Sequence, residues 1–278
     1  MARLIDLHMH TNCSDGVLAP AELLARVRQK NIAAFAVTDH DTLAGYRVLQ
    51  ELVQPGDPEL ISGVELSVDC EGEDLHMLGY LCDPDHPELN QRLAFFQQER
   101  NRRGLLMVEK LNQLGVELTF ETVQQVAGDS AIGRPHVAEA LLRKGLVENF
   151  DDVFRRYIGN GRPAYVKKAR LSPGEAIDLI HTAGGVAVMA HPGINGMYRF
   201  VDKLAPLGLD GVEVYHYAHD QEQVRQFKRL AKRHGLLLSG GSDFHGRDER
   251  ECEIGAQPVP LEYLDQLRNR AQETRGQS

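Results

Sequence analysis

The chain has 278 residues, of which 42% are hydrophobic, and a net charge of −9 from 31 basic and 40 acidic side chains. This content suits one barrel-sized domain, and the negative charge argues against binding to duplex DNA or to membranes. No apolar run approaches the ~20 residues that cross a bilayer. The four cysteines form no C-x-x-C pair. We therefore expect a cytoplasmic protein with reduced thiols and without an obligate protein partner.

Residues 1–85 alternate predicted strands with predicted helices. The strands are LIDLHMH, AFAVTDH, LISGVELSV and HMLGYLC, with helices expected around 20–30 and 42–54. Only helical periodicity follows over 86–159, and the alternation returns over 160–278, where Ser172 and Pro173 are typical of a helix start. The pattern predicts an α/β barrel, formed by 1–85 and 160–278, with an inserted all-helical subdomain at 86–159.

Most of the apolar runs end in a histidine or a carboxylate. Parallel α/β barrels build active sites at the C-terminal ends of their strands, so these groups should converge. Imidazole and carboxylate without thiolate suit a hard or borderline divalent ion, and nine groups are too many for one ion. The sequence therefore predicts two or three bound ions, with the candidate ligands His8, His10, Asp15, His40, Glu65, His76, His191, Asp243 and His245.

Several of these ligands have an ordinary structural alternative. Asp15 lies in an S-D-G turn, where an aspartate often bonds its own backbone, and His76 is isolated in its run. His8 and His10 share one face of a strand, so one ion can bind both, and the same spacing recurs in S-D-F-H. Glu65 ends a buried run, where an unpaired charge is costly, and we expect it to bridge two ions.

Three residues are candidate catalytic groups. Asp39 in T-D-H-D is expected to orient a ligand imidazole, while Asp41 or Thr42 there could cap a helix. His216 is a candidate acid for the leaving oxygen, with bound water as the alternative. Asp243 counts as catalytic as well as a ligand. His136, like His216, is expected near the substrate, and four other histidines are expected to be solvated: His86, His181, His219 and His234.

A second group of candidates is basic. Residues 91–170 hold 14 Lys and Arg against 9 Asp and Glu, so a basic middle segment contrasts with an acidic remainder. Arg134 begins a predicted helix in G-R-P-H, where backbone N–H groups and a guanidinium can converge on a phosphate. A solvated helix face is the alternative, above all for Lys167 and Lys168. The candidate substrate-binding residues are Arg102, Arg103, Gly104, Arg134, His136 and Lys168.

The ordered set H-x-H, S-D-G, T-D-H-D, G-x-E, a downstream histidine, A-H-P and S-D-x-H resembles the polymerase and histidinol phosphatase (PHP) family of metal-dependent phosphoesterases. The resemblance covers residues 1–80 and about 160–255, and it implies a distorted (β/α)7 barrel with a trinuclear site. Manganese is expected, with iron, zinc or magnesium as alternatives. The resemblance assigns His8, His10, Glu65 and Asp243 to the first ion, Glu65, His76 and His191 to the second, and Asp15, His40 and His245 to the third.

The insertion, with R-N-R-R-G and G-R-P-H, resembles a bacterial subgroup of 3′,5′-nucleoside bisphosphate phosphatases whose close relatives trim short RNA from its 5′ end. This resemblance implies that the substrate is a nucleotide such as adenosine 3′,5′-bisphosphate, which loses its 3′-phosphate to leave a 5′-mononucleotide. Three alternatives stay open: a 5′→3′ exoribonuclease on short RNA, a histidinol-phosphate phosphatase, and a non-catalytic metal-stabilised module.

Overall fold

The computed structural model describes residues 4–128, 130–246 and 252–277. The chain forms two compact units, Met1–Gln91 with Arg170–Ser278, and Arg92–Ala169. Both ends of the second unit lie later in the chain than the ends of the helical subdomain expected from the sequence, 86–159. Asn90 remains with the first unit because its side chain bonds Arg47, whereas Val166 packs into the core of the second unit. We call the two parts the barrel unit and the helical unit.

One sheet of eight strands, counted over the described residues, forms the barrel unit. Its strands are β1 Leu4–Asp6, β2 Ile32–Val37, β3 Glu59–Cys70, β4 Glu73–Tyr80, β5 Val186–Met189, β6 Gly211–Tyr215, β7 Leu237–Gly240 and β8 Val259–Pro260. The order in the sheet is β7-β6-β5-β4-β3-β2-β1-β8. β4 runs antiparallel to β3 and β5, and β8 runs antiparallel to β1. The predicted α/β barrel is confirmed, with the two-residue β8 added to seven longer strands.

Backbone hydrogen bonds between the segments that follow β1 and β7 nearly close the barrel. Asp243 N donates to His8 O at 2.8 Å, and His10 N donates to Phe244 O at 2.9 Å. Gly241 permits this approach, since a Cβ at that position would lie 2.4 Å from the His8 nitrogen. The closure therefore depends on backbone contact that a larger residue would obstruct.

Ten α-helices accompany the sheet in the described part of the chain. They are α1 Pro20–Val27, α2 Ala44–Leu52, α3 Pro87–Gln113, α4 Phe120–Ala127, α5 Arg134–Arg143, α6 Phe150–Val153, α7 Pro173–Thr182, α8 Val201–Leu204, α9 Gln221–His234 and α10 Leu261–Gln277. The predicted start of α7 is formed by a capping box, in which Glu175 Oε2 accepts from Ser172 N and Ser172 Oγ accepts from Glu175 N. None of the described helices is long and apolar enough to span a membrane.

Each unit has its own apolar core. In the barrel unit, Leu264 and Leu267 of α10 join Ile5 and other strand residues in one cluster, while α1 and α2 pack against β2 in another. In the helical unit, α3 to α6 and a π-helical turn at Phe154–Ile158 enclose a third cluster. Burial of this apolar area, at about 25 cal/mol per Å², is the main stabilising term for each unit.

Asp210 is a buried carboxylate that connects three elements of the barrel unit. Its Oδ2 accepts from His181 Nε2 at 2.7 Å and from Ala187 N at 2.8 Å, and its Oδ1 accepts from Arg270 Nη1 at 2.9 Å. These bonds join α7, β5 and α10. His181, expected to be solvated, is thus a half-buried structural partner, because its partner carboxylate lies inside the fold.

We predict that Asp210→Asn lowers the free energy of unfolding by about 1 to 3 kcal/mol, because the amide cannot accept all three hydrogen bonds. Urea unfolding followed by circular dichroism would measure the loss. The control is Asp178→Asn, an exposed residue on the same α7, which should change stability by about 0.5 kcal/mol or less. Equal losses in the two variants would contradict the connecting role of Asp210.

Candidate metal centre

The structure brings all nine predicted ligands together at one rim of the barrel. Most lie in the segments that follow β1, β2, β5 and β7, as expected. His76 instead lies near the start of β4, which reaches the same rim because β4 runs antiparallel. Glu65 lies inside β3 rather than at its end, because β3 continues into a hairpin with β4.

Four ligand atoms form the most compact part of the cluster. His8 Nε2 and His10 Nε2 lie 3.2 Å apart. Each lies between 3.2 and 3.5 Å from Glu65 Oε2 and Asp243 Oδ1. Ligand atoms about 2.0 to 2.1 Å from a tetrahedral ion would be about 3.3 to 3.4 Å apart. The spacing therefore matches a single ion held by these four side chains.

The two oxygens of Glu65 face different histidines. Oε1 lies 2.9 Å from His76 Nδ1 and 3.1 Å from His191 Nε2, while Oε2 lies 3.0 Å from His40 Nδ1. Burial alone would raise the pKa of Glu65, but the interactions with His40 and His76 outweigh it and hold that pKa well below its ordinary value. This carboxylate can bridge two ions, one at each oxygen.

Asp15 is the centre of a third group. Its Oδ1 lies 3.3 Å from His245 Nε2, 3.8 Å from His10 Nδ1 and 3.9 Å from His40 Nε2. Burial opposes ionisation of Asp15, but His245 and His40 outweigh it, so its pKa lies well below the ordinary value. The predicted third set, Asp15, His40 and His245, is thus brought together, and His10 is close enough to join it.

The unsatisfied atoms of the cluster fit a bound cation. His10 Nδ1 is buried and forms no hydrogen bond with any described residue, and His40 Nδ1 is buried 3.0 Å from Glu65 Oε2 without hydrogen-bond geometry. Such atoms are costly unless an ion or another partner binds them. Burial, together with the adjacent His245, lowers the pKa of His10 to about 4, so the ring is neutral at pH 7, as a ligand must be. These nitrogen and oxygen donors therefore fit divalent metal ions.

Asp39 was expected to orient a ligand imidazole, and its hydrogen bonds show a different role. The carboxylate accepts from Thr11 N at 2.8 Å and from the hydroxyls of Thr11 and Ser14, each at 2.6 Å. Burial raises the pKa of Asp39 to about 6. Asp39 therefore holds the loop that carries Asp15, because its oxygens face that loop and bond its donors.

Two other histidines also differ from expectation. His216 is 1% exposed. Its Nδ1 accepts from Ala218 N at 3.1 Å, so its Nε2 donates to Asp243 Oδ2, also at 3.1 Å. With that proton already engaged, His216 supports Asp243 and is not placed as an acid for a leaving oxygen. His219, expected to be solvated, is buried, and its Nε2 accepts from Gly193 N at 3.1 Å.

Sequence reasoning missed two buried carboxylates, Asp6 and Glu213, that each bond the ligand residue His8. Asp6 accepts from Ser242 N at 2.9 Å and from Gly255 N at 2.8 Å, so it anchors the chain that follows β7. Glu213 bonds ligand residues directly. Both carry a charge inside an apolar run, LIDLH and LDGVEVYH, and a charge in such a position needs a partner. That signal could have identified them.

Within the helical unit, three basic segments converge. Asn101 Oδ1 accepts from Ile132 N at 3.1 Å, and a Cβ on Gly104 would lie 2.5 Å from Ile132 Cγ2. Arg103, which is 5% exposed, donates from Nε to Val166 O at 2.8 Å. Residues 100–104 (R-N-R-R-G) therefore pack against the loop that precedes Arg134 and against the segment that precedes Lys167. Gly104 is required for this close packing.

The predicted substrate-binding side chains differ in their surroundings. Arg102 is exposed and pairs with Glu99 at 2.9 Å, one turn earlier on α3. Arg134 is half-buried at the start of α5 and donates to Asn160 Oδ1 at 3.1 Å. His136 Nδ1 accepts the backbone N–H of residue 133 and so caps α5. Lys168 and Arg134 are both partly accessible.

A nearly closed barrel with clustered imidazoles and carboxylates at one rim is the architecture of a metal-dependent hydrolase. The chain belongs to the PHP domain family, whose model matches residues 6–156, and it is a metal-dependent phosphoesterase of that fold. A solved structure from Bifidobacterium adolescentis, designated a metal-dependent phosphoesterase, has a TM-score of 0.86 and 31% identity, covering 97% of both chains.

Two curated relatives carry more specific names. A 5′-3′ exoribonuclease of Haemophilus influenzae is 35% identical over 250 residues, covering 88% of this chain and 91% of its own length. A 3′,5′-nucleoside bisphosphate phosphatase of Chromobacterium violaceum is 34% identical over 257 residues, covering 90% of each chain. These relatives agree on cleavage of phosphoesters and differ in substrate.

We predict that His191→Ala abolishes turnover and lowers the metal content of the purified protein, because it removes a nitrogen 3.1 Å from Glu65 Oε1. Elemental analysis after dialysis would measure bound metal per chain. The control is His234→Ala, which removes an imidazole that pairs with Asp202 on the surface. Full metal content in His191→Ala would contradict the assignment of His191 as a ligand.

Proposed function

We propose that the protein hydrolyses the 3′-phosphate of nucleoside 3′,5′-bisphosphates, such as adenosine 3′,5′-bisphosphate, and leaves a 5′-mononucleotide. Three divalent ions would be held by the three ligand groups at the barrel rim. We expect Mn²⁺, although nitrogen and oxygen donors also accept Fe²⁺, Zn²⁺ or Mg²⁺. The metal cluster accounts for phosphoester hydrolysis, and the basic helical unit supports a substrate with a second phosphate.

The observation that carries this proposal is the convergence of the three basic segments in the helical unit. Arg103 and Arg134 each place a guanidinium in these segments, and Arg134 stands at the N-terminus of the ten-residue α5. A helix start and a guanidinium together favour a phosphate group. Binding a phosphate that does not react provides energy for positioning the one that does.

Each group of residues then has a distinct task. Bound divalent ions would lower the pKa of water and offset charge on the phosphoryl oxygens. Glu65 would help to hold two ions, because its two oxygens lie beside different histidines. His216 keeps Asp243 oriented, and Asp39 keeps the loop of Asp15 in place. Arg134 and Lys168 would bind and orient the nucleotide.

A second candidate is 5′→3′ exonucleolytic cleavage of short RNA. It is supported by the relatives from Haemophilus influenzae and Escherichia coli, both 35% identical and both called 5′-3′ exoribonucleases. The same ions and the same basic segments would serve a 5′-phosphorylated strand. The two candidates differ in the bond that is cleaved, so they can be separated by product analysis.

We predict that the bisphosphate has the highest kcat/KM in a panel of phosphate esters, because, unlike the monophosphates, it offers a positioning phosphate as well as a reacting one. The panel contains adenosine 3′,5′-bisphosphate, AMP, histidinol phosphate, an aryl phosphate and a 5′-phosphorylated tetraribonucleotide. Phosphate release and chromatography of nucleotides would identify the products. A higher kcat/KM for mononucleotide release from the tetramer would replace the proposal with the exoribonuclease.

We also predict that Arg134→Ala lowers kcat/KM for the bisphosphate about 10- to 100-fold, the effect of one charge-assisted hydrogen bond to phosphate. The loss for an aryl phosphate should be much smaller, because that substrate has no second phosphate. Arg143→Ala, at the other end of α5 and paired with Glu139 at 2.7 Å, is the matched control. Equal losses on both substrates would remove Arg134 from substrate selection.

A further inference from the structure

Glu213 links two ligand histidines that belong to different ion sites. It lies on β6 with no solvent exposure. Its Oε1 lies 3.0 Å from His8 Nδ1, and its Oε2 accepts from His191 N at 2.7 Å. One carboxylate therefore bonds a ring nitrogen in the segment that follows β1 and a backbone N–H in the segment that follows β5. Glu213 itself is not part of any group of candidate ligands.

The bond to His8 determines which nitrogen of that ring can bind a cation. An ionised carboxylate only accepts hydrogen bonds, so His8 Nδ1 must carry the proton. In the neutral ring that a ligand requires, the lone pair then lies on Nε2, the atom that faces His10 at 3.2 Å and Asp243 at 3.3 Å. A carboxylate bonded to the remote nitrogen of a ligand imidazole is a common means of fixing its tautomer and orientation.

The bond to His191 acts on the backbone. His191 has a φ of 25°, a left-handed value that is unfavourable for a residue with a Cβ. Backbone conformations of this kind persist only where the surroundings hold them. The N–H bond to Glu213 holds this one, and it keeps the imidazole directed at Glu65, with Nε2 3.1 Å from Oε1.

We propose that Glu213 is a positioning residue of the metal centre, which fixes the ligating nitrogen of His8 and the backbone turn of His191 at once. The first and second ion sites are thereby formed together, through a single buried side chain. This inference rests on the proposed ion sites and is independent of the proposed substrate. If the wild-type protein binds no divalent ion, the proposed ion sites themselves are wrong.

The decisive variant is Glu213→Gln, which keeps the shape of the side chain and removes one acceptor. If the amide oxygen faces His191 N, the amide nitrogen donates to His8 Nδ1 and moves the ring proton to Nε2. We expect the affinity for Zn²⁺ to fall about 10- to 100-fold, measured by competition with a chromophoric chelator. Elemental analysis should show fewer ions per chain, whatever the activity.

Asp210→Asn is the matched control, because Asp210 also bonds a histidine ring and a backbone N–H, but at residues outside the metal centre. We expect it to lose stability and to bind Zn²⁺ as tightly as the wild-type protein. Wild-type affinity and stoichiometry in Glu213→Gln would overturn the proposal. An equal loss of affinity in Asp210→Asn would also overturn it, since the effect would then be general destabilisation.

A measurement on the wild-type protein decides the matter even where Glu213→Gln fails to fold. Long-range ¹H–¹⁵N correlation spectra of the Zn²⁺-loaded, ¹⁵N-histidine-labelled protein report the protonation of each ring nitrogen. We expect His8 to carry its proton on Nδ1 and to bind the ion through Nε2. Ligation through Nδ1 would exclude the hydrogen bond to Glu213 and with it the proposal.

Discussion

The backbone pairing between the segments after β1 and β7 is the constraint on which the metal centre depends. By joining His8 O to Asp243 N and His10 N to Phe244 O, it nearly closes the barrel and brings the first and last ligand segments of the chain side by side. Gly241 permits this pairing, because a side chain at that position would collide with the backbone of His8. With that pairing in place, alternation along the chain turns His8 and His10 toward the same point, which Glu65 reaches from β3.

The electrostatics of the cluster follow from this geometry. Glu65, Asp15 and Asp243 are held ionised by histidines that surround them, despite burial that would favour their neutral forms. Burial of so many ionisable groups is costly unless each has a partner, and bound cations supply one. Glu213 and Asp39 add no ligand atom to the groups, yet their hydrogen bonds hold the backbone and the rings that do.

Much of this could be predicted from the sequence, because most of the ligands stand at or near the end of a buried run, and the hydrophobic periodicity of the runs identifies the barrel. Partners that meet only in the folded chain could not be predicted in this way. Glu213 lies 205 residues from His8, and no local spacing connects them. Arg102 and Arg103 are neighbours on one helix, yet one is exposed and the other buried. Which of the two side chains is buried depends on which face of α3 packs against the rest of the helical unit. A run of basic residues does not indicate that face.

In the chain, the helical unit lies between β4, which ends at Tyr80, and β5, which begins at Val186. These two residues pair with each other in the sheet. The chain thus leaves the sheet and returns to it at one pair of adjacent residues. The entropy of closing such a loop rises only slowly with its length, so segments of different size can occupy this position at little cost to the barrel. Divergence within the insertion can therefore proceed without disturbing strand pairing, and the residues that recognise a substrate can evolve separately from those that perform the chemistry.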